Sequence, residues 1–112
     1  MTAKDQEIYE LHAEFCKMIA SPKRLMIVEL LAKKELSVSE IANALDVPHS
    51  NVSQHLRVMR SRHIVATRKD GQTVYYRLTH ARLPKVCAEI RSILLDDMEM
   101  RGKKARGMVK KT

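Results

Sequence analysis

The side chains with the most chemistry to offer lie in one stretch, PHSNVSQHLRVM, residues 48–59. Ser50, Asn51, Ser53, Gln54 and Arg57 bring hydroxyls, amides and a guanidinium into a short span. A helix here places Val52, Leu56 and Met59 at i, i+4 and i+7, a buried stripe, with the five polar groups on the flanks and the opposite face. Such groups read base edges and hold phosphates. Gln54 can bond adenine through two atoms, and Arg57 can bond guanine or a phosphate. His55 in the same helix offers a contact to a phosphate or to a neighbouring helix, and His49 a further phosphate contact. The pattern also fits an ordinary amphipathic helix with a solvated outer face, so the stretch does not decide by itself.

The elements that would position this helix sharpen the reading. A helix over IANAL, 41–45, precedes it, and Asp46-Val47 is a tight link, so the two form a helix-turn-helix. Ser37-x-x-Glu40 is a capping box for the earlier helix, with Leu36 and Ile41 as a hydrophobic staple and Ile41, Ala44 and Leu45 as its buried side. After the reading helix, 64–69 and 72–78 are strands about Asp70-Gly71, expected as a type I′ turn. Arg68, Lys69 and Arg77 fall near the tip or flank of this hairpin, with Tyr75 or Tyr76 inward and His63 packed against it. A basic wing of this kind lies along phosphates or enters the minor groove.

Three further helices complete the chain. The first spans 4–20 with the stripe Ile8, Leu11, Phe15 and Met18. The second runs from Pro22 to Lys33, capped by Ser21 and apolar nearly all round. The last runs from about Leu83 to Met98, with Leu83, Cys87, Ile90 and Leu94 widened by Val86 and Ile93. The expected fold is mainly α with a β-hairpin wing, a winged helix-turn-helix of order α-α-α-α-β-β-α. The stripes of the first and last helices lack intrachain partners, so a twofold homodimer through those helices is expected.

Composition narrows the class. The 112 residues suffice for one domain, expected over 1–100, with 101–112 a basic and disordered tail. The net charge of +8 is uneven: −2 over residues 1–46, +5 over 47–77, −1 over 78–100 and +6 over 101–112. The positive blocks cover the reading unit and the tail, which suits a polyanion such as double-stranded DNA. No apolar run approaches a membrane span, and the polar start MTAKDQEIYE does not resemble a signal peptide, so a cytoplasmic location is expected. No nucleophile–base–acid set or paired carboxylates stand out, and an enzyme is not expected.

The pieces IASPKRLMIVELL, LSVSEIANAL, SNVSQHLRVMR and IVATRKDGQTVYYRLT together resemble the ArsR/SmtB family of winged-helix repressors, over residues 8–98. His63 stands where that family usually has glycine, and Pro48 where it often has serine. The resemblance implies a homodimeric repressor of its own operon, released from DNA by a metal, arsenite or thiol oxidant. It also implies two ligand sites to check. At the first, a Cys-x-Cys pair is replaced by Ser37-Val38-Ser39, poor ligands for a soft ion. At the second, a zinc set is replaced by His80, Arg82, Ile93 and Asp96, of which Arg82 and Ile93 cannot serve. No metal site is therefore assigned.

Cys16 and Cys87 fall in the first and last helices, which pack together across the dimer in the family. They could form a reversible disulfide or polysulfide link, or hold a soft metal or metalloid ion with His12, one turn before Cys16. Equally, both could be small core residues. Two other functions compete with specific regulation: a winged-helix protein-interaction module, and a nonspecific DNA-coating protein driven by its tail. Basic charge on the reading unit itself favours recognition of a DNA sequence.

Overall fold

Short polar residues set where the helices begin. In the computed structural model, which describes residues 1–102, Thr2 caps α1 (Ala3–Ile19) through a capping box with Asp5. The Thr2 backbone N–H and then its hydroxyl hold the Asp5 carboxyl below its ordinary range. Ser21 caps α2 (Pro22–Leu31), with proline in the first turn, where its missing N–H costs nothing. Ser37 caps α3 (Val38–Leu45): its hydroxyl accepts from the Glu40 N–H at 3.2 Å, and the Glu40 carboxylate accepts from the Ser37 N–H at 2.9 Å. Ser37 thus serves to start a helix.

Leu36–Ser37 also form a two-residue strand, β1, absent from the sequence reading. Helix α4 (His49–Ser61) follows, then strands β2 (Val65–Asp70) and β3 (Thr73–Leu78), and helix α5 (Leu83–Met100). The sheet is antiparallel in the order β1-β3-β2, with Leu36 opposite Tyr76 and Val65 opposite Leu78. The architecture is a winged helix-turn-helix, five helices and a hairpin wing, with β1 as a third strand. The chain divides into two compact units at Thr79 and His80. Residues 103–112, most of the expected basic tail, lie outside the described residues.

The core of the first unit gathers Ile27, Val28 and Leu31 of α2, Ile41 and Ala42 of α3, and Val52, Leu56 and Met59 of α4. Two expectations need correction. In α3 the buried alanine is Ala42, and Ala44 is exposed, because the inward face is centred one residue earlier. In α2 the apolar surface is not uniformly buried: Met26 is 45% exposed, and the inward side is carried by Ile27, Val28 and Leu31.

The hairpin turn also differs. Asp70 pairs with Thr73, so the two-residue loop is Gly71-Gln72. Gly71 has φ +63°, while Asp70 and Gln72 do not have positive φ. Positive φ confined to a glycine at the first central position is the pattern of a type II′ turn rather than type I′. His63 has φ +61° and an exposed side chain, not one packed on the hairpin. A left-handed conformation costs an L-residue about 1–2 kcal/mol. His63→Gly should therefore stabilise the fold by about 0.5–1 kcal/mol, after the extra freedom of unfolded glycine is deducted. A thermal melt that shows no rise in Tm would contradict this.

Candidate nucleic-acid interface

Helix α4 turns Val52, Leu56 and Met59 into the core, and what remains sets its outer face. Ser50, Gln54, Arg57 and Ser61 lie at i, i+4, i+7 and i+11, and all four are exposed. Ser53 is half-buried on one flank, beside exposed Arg60. His49 is exposed in the first turn. The N-cap of α4 is Pro48, which offers no side-chain acceptor. No side chain caps the first turn; the Asn51 N–H donates to the Pro48 carbonyl at 3.1 Å, which leaves the His49 and Ser50 N–H groups to water or an anion. A line of hydroxyl, amide and guanidinium offers the hydrogen-bonding groups that a helix in a major groove can use.

Two residues of this set are turned differently from the sequence expectation. Asn51 is half-buried on the other flank, and its Oδ1 is buried without a hydrogen-bond partner among the described residues. Its amide is therefore not wholly presented outward. His55 is also half-buried, and its Nδ1 accepts from Arg24 Nε at 3.2 Å. A guanidinium only donates, so His55 carries its proton on Nε2. Burial, and then the charges of Arg24 and Lys23, push the imidazole below its usual range, so the neutral ring is favoured here. His55 thus makes the expected contact with a neighbouring helix, through Arg24 of α2.

The wing divides its basic residues between two faces. Arg68 is opposite Tyr75 and Arg77 opposite Ala66, which puts both arginines on one face, while Lys69, opposite Val74, points to the other. Arg68 is not an unattached tip cation. Its Nε and Nη2 donate to Glu35 at 2.9 and 2.8 Å, Asp70 lies at 3.9 Å, and its guanidinium sits 4.9 Å from the Tyr75 ring centroid. Glu35, on the segment leading to β1, escaped the sequence reading because it lies 33 residues from Arg68. Lys69 and Arg77 are exposed and have no ion pair among the described residues. Both Tyr75 and Tyr76 are half-buried.

His12 and Cys16 are exposed on α1, whereas Cys87 is buried on α5, and no disulfide joins the cysteines. His80, Arg82, Ile93 and Asp96 are all exposed. Among the described residues no three His, Cys, Asp or Glu side chains gather to hold a metal ion. No described helix is long and apolar enough to cross a membrane. Apolar side chains are instead exposed on two helices: Ile8, Tyr9 and Leu11 on α1, and Val86, Ile90, Ile93 and Leu94 on α5.

Comparison with known proteins converges on one group. Residues 21–67 match the model of the bacterial regulatory protein, arsR family. The nodulation protein NolR of Rhizobium meliloti is 36% identical over 90 residues, which cover 80% of this chain and 74% of NolR. A transcriptional repressor SmtB homolog of Synechocystis is 38% identical over 78 residues, covering 70% of this chain and 59% of that protein. Among solved structures, a homodimeric winged helix-turn-helix DNA-binding domain from Mycobacterium bovis, a possible ArsR-family regulator, superposes with a TM-score of 0.76. It is 25% identical, and the match covers 89% of this chain and 93% of that domain.

Proposed function

Since the chain belongs to the ArsR family of DNA-binding transcriptional regulators, and is not an enzyme, we propose that it is a homodimeric repressor that reads its operator with α4. The observation that carries this is the exposed line Ser50, Gln54, Arg57 and Ser61 on a helix whose opposite side is locked into the core. Residues 1–100 act as one DNA-binding and dimerising unit in the cytoplasm. The exposed stripes of α1 and α5 are covered by a second copy, as the homodimeric state of the Mycobacterium bovis domain supports. Two reading helices then meet half-sites roughly 34 Å apart. Ser50, Gln54 and Arg57 read bases or adjacent phosphates, with Asn51 and Ser53 at the margins. Lys69 and Arg77 hold the backbone from the wing, and Arg68 shapes the wing through Glu35. The tail from 101 adds attraction for any DNA.

An effector releases the DNA. A thiol oxidant acting on exposed Cys16, or a polysulfide that passes a sulfane sulfur to its thiolate and leaves as the shorter chain, is the reading its exposure supports.

Two substitutions test the division between base reading and backbone holding. Gln54→Ala should change the preference among operator variants, by about 1–3 kcal/mol at the base pair that it reads. Unchanged discrimination in a panel of single-base variants would sink that assignment. Lys69→Ala should weaken binding to all duplexes alike and lower the salt slope by about 1. A salt titration with the wild-type slope would contradict the role of Lys69. Removing residues 101–112 separates this reading from nonspecific coating: operator binding survives the deletion in the first case and collapses in the second.

A further inference from the structure

Arg24 differs from the other arginines of residues 1–79: they are exposed, and it is half-buried. It stands in the first turn of α2, where its backbone N–H donates to the Ser21 hydroxyl at 3.4 Å. Its guanidinium donates in two directions, from Nη1 to the Met18 carbonyl at 2.7 Å and from Nε to His55 Nδ1 at 3.2 Å. The Met18 carbonyl belongs to the last turn of α1, where carbonyls have no partner within the helix. His55 sits in the middle of α4, next to Gln54 and two residues before Arg57. A planar guanidinium can hold two acceptors in one fixed geometry; an ammonium carries the same charge without that fork.

The rest of α1 gives this link its weight. Met18 is the one buried residue of α1, and Ile8 and Leu11 are exposed. A second polar tie runs from Glu14 to Arg62 at the end of α4, at 3.1 Å, but both its side chains are more than half exposed, and such pairs contribute little. The bond through Arg24 is the better shielded of the two.

We propose that Arg24 is a positioning residue that fixes the DNA-reading helix against the last turn of α1, so that a movement of α1 shifts the reading face. The inference rests on α4 being the reading helix. Cys16 lies two residues before Met18, and the apolar stripe assigned to the second copy is on the same helix. A change in thiol state or in subunit packing therefore acts on the element at the far end of this bond.

The test uses the full chain at fixed salt, with DNA from upstream of its own gene and a random duplex of equal length. Arg24→Gln should lower affinity for the upstream DNA about tenfold or more while affinity for the random duplex stays within about twofold. Arg24→Lys should fail to restore it. Equal loss on both duplexes would make Arg24 a simple phosphate cation and overturn the proposal. So would no loss on either, or full recovery with lysine. Should Arg24→Gln not fold, the lysine variant decides by the same comparison. Nitrogen NMR of the His55 ring gives a readout without DNA. Nδ1 should show an accepted hydrogen bond in the wild type and lose it in the variant that folds; an unchanged ring would overturn the proposal. A wild-type protein that does not distinguish the two duplexes would instead refute the repressor reading, and the ring measurement would still stand.

Discussion

Ile90→Glu should turn the protein into monomers and weaken operator binding by roughly a hundredfold or more. Ile90 is 53% exposed and lies between Val86 and Leu94 on the apolar stripe of α5, so a carboxylate there is hydrated in the single chain. In a dimer covered through this stripe the same carboxylate would have to be desolvated without a partner. Two half-sites held by one dimer gain by effective concentration, and a monomer loses that gain even with an intact reading helix. The measurement pairs solution mass with a DNA titration. A variant that keeps the wild-type mass would show that this part of α5 is not the dimer surface.

Leu56→Ala should lower stability by about 2–5 kcal/mol, the range for deleting a fully buried leucine. Leu56 is 0% exposed and faces the core from the centre of α4, directly after His55. The cavity would loosen the face that holds Ser50, Gln54 and Arg57 in line, so affinity for operator should fall with stability. Denaturant unfolding at fixed protein concentration checks the magnitude, since a dimer's apparent stability depends on concentration. A loss below about 1 kcal/mol would mean that α4 is not anchored by this side chain.

Most of α4 was legible because a helix repeats every 3.6 residues: Val52, Leu56 and Met59 fix the inward side, and the outer line follows. The capping box at Ser37 and Glu40 was legible for a similar reason, since its two bonds join residues three apart. What local spacing does not encode is which distant side chain completes a pair. Arg24 and His55 are 31 residues apart, and nothing in either neighbourhood marks the other. The same holds for Glu35, so Arg68 read as an unattached wing cation. Strand β1 was missed because two residues carry no alternation; only pairing with Tyr75 and Tyr76 makes it a strand. The turn at Gly71 shows a finer limit: the residue pair signalled a hairpin, but a shift of one residue in the loop changed the turn type.

The most direct test of specific DNA reading by α4 is a titration of the wild-type protein on DNA from upstream of its own gene against a random duplex of the same length, at one fixed salt concentration. Affinity for the upstream DNA should be higher by about a thousandfold or more. Equal affinity for the two duplexes would contradict specific reading, leaving a protein drawn to DNA by charge alone.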